Sequence, residues 1–249
     1  MALLKAVEVT KMFGDFKAVD SVSISIEKND AVGIIGPNGA GKTTFLNIIT
    51  GCYIPEKGFV YFNDKNITRV RPEKRVDMGL NRTFQLVHVF DNLSVYENLA
   101  ISYFRKLKGK SCPISMFYQN LYNKLTKAKV DECLGIFGFK DVSSELVRSL
   151  SLGNKKKLEI AMAHIVDPEV LLLDEPFAGL GDHEIDEILT ILTNYKKNKT
   201  MLIIEHKISK LTQVVDKIAV MCDGKIIAYG PSEETLNHPE VRKSYWKIK

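Results

Sequence analysis

Three kinds of hydrophobic pattern succeed one another along the chain. From Ser21 to Glu27 the apolar residues Val22, Ile24 and Ile26 alternate with polar ones, the period of a strand with one buried face. Ala31-Val-Gly-Ile-Ile35 is apolar throughout, as a strand covered on both faces must be. Gly58 to Asn63 reads as a further strand. At Ser94 the period changes: Ser94-Val-Tyr-Glu97 is a capping box opening an amphipathic helix with Leu99, Ala100 and Tyr103 on its apolar side. The pattern stays helical to about Val166, with breaks near Gly109 to Pro113 and at Gly135 and Gly138. The last third alternates. Val170 to Leu173 is a buried strand, and a helix from His183 places Ile185, Ile188, Leu189 and Leu192 on one face. Thr200 to Glu205 reads as a strand, Lys207 to Asp216 as a helix, and Lys217 to Tyr229 as a hairpin turning at Asp223-Gly224. These elements predict an α/β domain with a mostly parallel sheet: 1–86 and 167–249 supply the strands, and 87–166 is an inserted helical block.

Composition narrows the class. With 249 residues, 45% apolar and 26% charged, the chain can bury a sizeable core, which excludes a disordered or fibrous protein. Its apolar runs, such as Val170 to Leu173 and Met201 to Ile204, fall far short of the roughly 18 residues that span a bilayer. The opening Met-Ala-Leu-Leu-Lys has no signal-peptide core, so cytosol is expected. Lys and Arg exceed acids by 35 − 30 = 5. The excess lies in short runs such as Lys155 to Lys157, which read as solvated faces and not as a nucleic-acid stripe. Cys52, Cys112, Cys133 and Cys222 lack metal or redox spacing and are expected to be reduced, mostly buried thiols.

The chemistry begins at Gly36-Pro-Asn38-Gly39-Ala40-Gly41-Lys42-Thr43, a complete G-x-x-x-x-G-K-[ST] loop between a buried strand and a helix. Glycines there turn backbone N–H groups inward around phosphates, and the helix starting at Lys42, Thr43 and Thr44 adds its positive end. Lys42 is placed to reach β- and γ-phosphate oxygens, and the Thr43 hydroxyl to ligate Mg²⁺. Val170-Leu-Leu-Leu-Asp174-Glu175-Pro176 supplies the complement: a carboxylate ending a buried strand suits the Mg²⁺ shell, and its neighbour Glu175 suits polarisation of an attacking water. Leu150-Ser151-Leu152-Gly153-Asn154, 23 residues before Asp174, is by itself an N-cap serine and a helix start.

In this order, the motifs resemble the ATP-binding subunit of an ABC transporter. The resemblance implies the ABC ATPase fold of the P-loop NTPases, with an antiparallel β subdomain and an inserted α-helical subdomain. It also implies that Ser151 and Gly153, in the position of the L-S-G-G-Q signature, bind the γ-phosphate of ATP held by a second subunit. Phe13 matches the aromatic that stacks on adenine. Gln85, in Arg-Thr-Phe-Gln, matches the glutamine that meets Mg²⁺ and water, and His206, in Ile-Ile-Glu-His, the switch histidine at the γ-phosphate. Gly79-Leu-Asn-Arg-Thr-Phe-Gln85, Leu93 to Leu99, Leu158 to Ala161 and His238-Pro-Glu-Val241 are similar to the branched-chain amino acid importer branch. Importers of urea or short amides share these marks, and the lipopolysaccharide-export ATPase is a cousin that usually differs at Arg-Thr-Phe-Gln.

The implied partners are two membrane-spanning permease subunits, a second ATPase subunit and, indirectly, an extracytoplasmic solute-binding protein. The implied location is the cytoplasmic face of the cell membrane. Leu86 to Phe90, apolar for a surface loop, is expected to contact a permease. Three positions depart from the family: Leu152 and Asn154 in the signature, and Gly181 where Asp or Asn is usual, with Asp182 left to cap the next helix. A soluble two-cassette protein would need a longer chain. A GTPase would need N-K-x-D, which both Asn123-Lys-Leu-Thr and Asn198-Lys-Thr-Met fail to supply.

Overall fold

A computed structural model describes residues 2–83, 87–108 and 123–244. The chain divides into two compact units, Met1–Arg82 with Glu169–Phe177 and Leu192–Lys249, and Thr83–Pro168 with Ala178–Ile191.

The first unit holds two sheets. Strands β1 (Ala2–Phe13), β2 (Phe16–Glu27), β4 (Lys57–Phe62) and β5 (Lys65–Asn66) form an antiparallel sheet in the order β2-β1-β4-β5. The second sheet contains β3 (Ala31–Ile35), β6 (Leu80–Arg82), β7 (Val170–Asp174), β8 (Thr200–Ile204), β9 (Lys217–Cys222) and β10 (Lys225–Pro231), in the order β10-β9-β3-β8-β7-β6. All its pairings are parallel except β9 with β10. Every residue of β3, β7 and β8 is buried, which is why these segments carry no polar alternation. The β9-β10 turn has positive φ at both Asp223 and Gly224, matching the twist of a tight hairpin. Helix α1 (Lys42–Thr50) sinks Phe45, Leu46, Ile48 and Ile49 into one core with Leu4, Val60 and Phe62 of the antiparallel sheet and Ile34, Leu172 and Leu202 of the parallel one.

Helix α2 (Pro72–Asp77) contributes an unusual group to that unit. Arg75 is 1% exposed and donates every N–H of its guanidinium to main-chain carbonyls: Nε to Val70, Nη1 to Ile48 and Ile49, and Nη2 to Ile67 and Thr68, at 2.6–3.0 Å. Burial lowers its pKa to about 10, so the charge survives at neutral pH.

The second unit is helical. Helix α3 (Val95–Lys108) packs against α4 (Lys124–Ile136) and α5 (Leu152–Ile165), and α6 (Asp182–Tyr195) is divided between the units. The capping box forms as expected: Ser94 N–H donates to Glu97 Oε2 at 2.8 Å, and Glu97 N–H donates to Ser94 Oγ at 3.2 Å. Leu99, Ala100, Val130, Leu134, Leu158 and Ala161 are buried.

The structure corrects several expectations. The helix expected over 207–216 is one turn, α7 (Ile208–Leu211), because Val214 and Val215 are drawn into the core and Asp216 N–H donates to Ala31 O, feeding β9 into the sheet. Helix α2 and strand β6 are too short to show a period. Of the cysteines, only Cys133 is buried among the described residues; Cys52 is exposed and Cys222 half-buried, all as free thiols, and Cys112 lies outside those residues. The C-terminal α8 (Ser232–Leu236) and α9 (Pro239–Ser244) complete the first unit. Among the described residues no helix is long and apolar enough to cross a membrane.

Replacing Arg75 by Met removes all five of these hydrogen bonds to main-chain carbonyls at once. Urea unfolding is expected to show a loss of roughly 2–4 kcal/mol; an unchanged midpoint would show that these contacts are dispensable.

Candidate functional site

The loop between β3 and α1 is shaped for an anion. Gly41, the N-cap of α1, has φ 96°, and a Cβ there would collide with the carbonyl oxygen of Ala18, so the turn requires glycine. Gly41 supplies no side-chain cap, which leaves the first-turn N–H groups and the positive end of the helix to a ligand. Gly36 and Ala40 are buried, while Asn38, Gly39 and Thr43 are exposed and Thr44 is half-buried. Lys42 is buried and donates through Nζ to Gly36 O at 2.8 Å and Pro37 O at 3.0 Å. Burial lowers its pKa, opposed by the charges of Glu175 and then Asp174. The lysine therefore shares one electrostatic neighbourhood with the two carboxylates that end β7.

Asp174 is 2% exposed and is held by an arginine that the sequence reading assigned no role. Arg82, ending β6, donates through Nη2 to Asp174 Oδ2 at 2.6 Å and through Nη1 to Asn47 Oδ1 at 2.5 Å. The other oxygen, Asp174 Oδ1, is buried with no hydrogen-bond partner among the described residues. A fixed, unpaired carboxylate oxygen is unfavourable in a protein interior unless a cation meets it. The oxygen donors available, Asp174 Oδ1 and the exposed Thr43 hydroxyl, suit a hard divalent cation such as Mg²⁺.

Glu175 follows in the left-handed region at φ 51°, a strain of roughly 1–2 kcal/mol for a non-glycine residue. Its N–H donates to Ile204 O at 2.9 Å, which prolongs the β7-β8 ladder, and its Oε1 lies 3.1 Å from His206 Nε2. The base candidate and His206 thus meet at the carboxyl edge of the parallel sheet, where α/β proteins place their ligands. Phe13 is 46% exposed, not a core residue. Its ring meets Tyr53 edge-on at 5.5 Å, and the Lys11 ammonium lies 5.6 Å from its centre. Gln85 lies outside the described residues.

Ser151 and Gly153 belong to the second unit. Ser151 caps α5, its Oγ accepting the Asn154 N–H at 3.2 Å, so position 154 contributes backbone to the cap whatever its side chain. A Cβ at Gly153 would collide with the carboxylate of Glu184, which also accepts the Gly181 N–H at 3.2 Å and lies 3.5 Å from Ser151 Oγ. The side chain that closes the start of α6 is therefore Glu184, with Asp182 the first helical residue. The sequence held one signal for it: a glutamate three residues after Gly181, the spacing of a capping box.

Because it holds Asp174, Arg82 is expected to affect nucleotide binding through that carboxylate. With Arg82→Gln, the Mg²⁺ concentration needed for half-maximal nucleotide binding is expected to rise tenfold or more, about the loss typical of removing a group that orients a metal ligand. Metal-free nucleotide binding should stay near wild type. A titration in which both arms move together would count against this role.

Residues 19–178 match the family model of ABC transporters. The chain is 37% identical to the probable branched-chain amino acid transport ATP-binding protein LivG of Methanocaldococcus jannaschii, over 98% of this chain and 97% of the relative. It is 30% identical to the lipopolysaccharide export system ATP-binding protein LptB of Haemophilus influenzae, over 98% and 97%. Its structure superposes with a TM-score of 0.84 on a nucleotide-free ATP-binding cassette from an ABC transporter, at 32% identity and covering all of both chains. A loop built for phosphates, an acid pair at the sheet edge and a family match spanning both lead to one conclusion: the chain belongs to the ABC transporter family, as one of its ATP-binding, ATP-hydrolysing subunits.

Proposed function

We propose that this subunit powers an importer of branched-chain amino acids from the cytoplasmic face of the membrane, paired with a second ATPase subunit and bound to two permease subunits. The assignment of the transported class is supported by the greater similarity to LivG than to the lipopolysaccharide-export protein. The observation that carries the catalytic reading is the meeting of Glu175 and His206 at 3.1 Å, next in sequence to the buried Asp174 that Arg82 holds.

In this reading Lys42 and the first-turn N–H groups of α1 hold the β- and γ-phosphates, and the Phe13 ring takes the adenine. Thr43, Asp174 and Gln85 would hold Mg²⁺, which neutralises charge on the phosphate oxygens. Glu175 accepts a proton from the attacking water. His206, whose Nε2 faces the Glu175 carboxylate, fixes that carboxylate and is placed to meet the γ-phosphate. Ser151 and Gly153 serve the ATP of the opposite subunit. The negative Glu184 carboxylate beside them is a group that an incoming phosphate has to displace or offset.

The contact with the permease is assigned to Leu86 to Phe90, of which the structure describes residues 87–90. Phe90 is 52% exposed and His88 is exposed, while Val87 and Val89 are half-buried, so the segment turns every second side chain outward. Its conformation is fixed by Asn98, fully buried, which accepts the Phe90 N–H at 2.8 Å and donates to Phe90 O at 3.1 Å. A rigid loop with an outward aromatic suits a short partner helix. Leu86 lies outside the described residues.

Two measurements test these assignments. Glu175→Gln keeps shape and removes the base, so hydrolysis should fall by about 10² to 10⁴ while ATP binding persists. Size-exclusion chromatography with light scattering should then show an ATP-dependent dimer, alone or with the partner ATPase, and adding Ser151→Arg should abolish it. Wild-type turnover in the glutamine variant rules out the assignment of the base. Separately, a cysteine at position 88, introduced as His88→Cys, is expected to crosslink to a permease subunit in membranes; crosslinks confined to the ATPase would place the coupling face elsewhere.

A further inference from the structure

Glu205 lies between the buried strand β8 and His206, and the mechanism above gives it no task. It is 2% exposed. Its own N–H donates to Ile34 O at 3.3 Å, tying it to the end of β3. Both oxygens of its side chain are engaged by main-chain donors: Oε1 accepts the Phe177 N–H at 2.6 Å, and Oε2 accepts the His206 N–H at 2.8 Å and the Lys207 N–H at 3.3 Å. A buried carboxylate with three backbone N–H partners is a charge-assisted junction, shorter and stronger than neutral contacts.

What it joins is informative. Phe177 lies two residues beyond Glu175, on the turn leaving β7, while His206 and Lys207 form the turn leaving β8. These turns present the two side chains that meet at 3.1 Å. Glu175 keeps an unfavourable positive φ, and such a conformation persists only where its flanks are pinned. Its N–H is pinned by Ile204 O; two residues on, the chain is pinned by Glu205 Oε1. With its side chain enclosed and both oxygens occupied, Glu205 is not available to water or nucleotide.

We infer that Glu205 is a positioning residue for ATP hydrolysis, its carboxylate clamping the turns of Glu175 and His206 in the one relative placement that the reaction uses. The inference rests on the catalytic assignment of Glu175 and His206. A substitution here should misplace both groups together and leave the phosphate-binding loop intact, so it separates turnover from binding.

The test uses the full chain and Mg-ATP, with steady-state hydrolysis and nucleotide affinity measured side by side. Glu205→Gln turns one acceptor into an N–H₂ facing backbone N–H groups. The expected result is a kcat lower by tenfold to a hundredfold with ATP affinity within about threefold of wild type. Glu205→Asp keeps the charge but is one methylene short, and should fall between the two. In a His206→Ala background the Glu205→Gln penalty should be smaller than in the otherwise wild-type chain, because one of the two clamped groups is already gone and only the placement of Glu175 is left to lose. Wild-type kcat in either Glu205 variant overturns the proposal. So does a parallel loss of affinity and kcat, an undiminished penalty in the His206→Ala background, or failure of both variants to fold, each of which marks a structural residue only. If Glu175→Gln itself turns over at the wild-type rate, the catalytic assignment and this proposal fall together. Full turnover in Glu205→Gln beside an inactive Glu175→Gln removes the proposal alone.

Discussion

The guanidinium of Arg75 is the fastening on which the nucleotide site depends. A helix that offers its N-terminus to phosphates must be fixed at its other end, and α1 is only nine residues long. Arg75 binds the carbonyls of Ile48 and Ile49 in its last turn, where a cation also offsets the negative end of the helix dipole. The same side chain holds Ile67, Thr68 and Val70, the segment that follows β5. No carboxylate could do this, since a carboxylate has no N–H to give to a carbonyl. With its C-terminus tied down and Phe45, Leu46, Ile48 and Ile49 fully buried, α1 has little freedom to tilt, and Lys42 and Thr43 inherit that rigidity.

At the opposite end of the same core, the parallel sheet presents polar groups in an order set by strand neighbours. Asp174 ends β7 and is paired in register with Ile204 of β8, so Glu175 and Glu205 leave the sheet side by side. Three strands buried along their whole length, β3, β7 and β8, run in register up to that line. Beyond it, Arg82, Glu205 and Lys42 meet the needs of buried carbonyls, carboxylates and backbone N–H groups. Stability and chemistry are thus separated along each strand: apolar residues through its length, charges at its carboxyl end. The left-handed Glu175 is the place where this edge departs from relaxed backbone.

The parts of the site that could be read from the sequence are those whose partners lie within a few residues. The phosphate loop, the Asp174-Glu175 pair, the Ser94 and Ser151 caps and the Asp223-Gly224 hairpin each declare themselves by short spacing. Unbroken apolar runs located β3, β7 and β8, and the helical period located the helix carrying Ile185 to Leu192. Arg75, Arg82 and Glu205 declared nothing, because an arginine or glutamate in a short helix, strand or turn reads as surface until its partner is placed beside it. For Arg82 that partner, Asp174, is 92 positions away, and for Glu205 the Phe177 N–H is 28 away. The helix expected over 207–216 stopped after one turn for the same kind of reason. Val214 and Val215 are buried, and Asp216 is bonded to Ala31 of β3, far upstream.

Strand order also governs how the chain reaches this state. β3, a wholly apolar strand, is made in the first fifth of the sequence, yet both strands that flank it, β8 and β9, come from its last fifth. Until residue 200 has left the ribosome, Ala31 to Ile35 has no sheet to join, and its two open edges are templates for pairing with other chains. The antiparallel hairpin of β1 and β2 and the helical block can form on local contacts in the meantime. Synthesis therefore passes through a long interval in which the nucleotide-binding loop exists in sequence but has no strand to stand on. Chaperone demand and aggregation in this protein should be concentrated in that interval, and truncation before β8 removes the support of the loop along with the carboxyl-terminal residues.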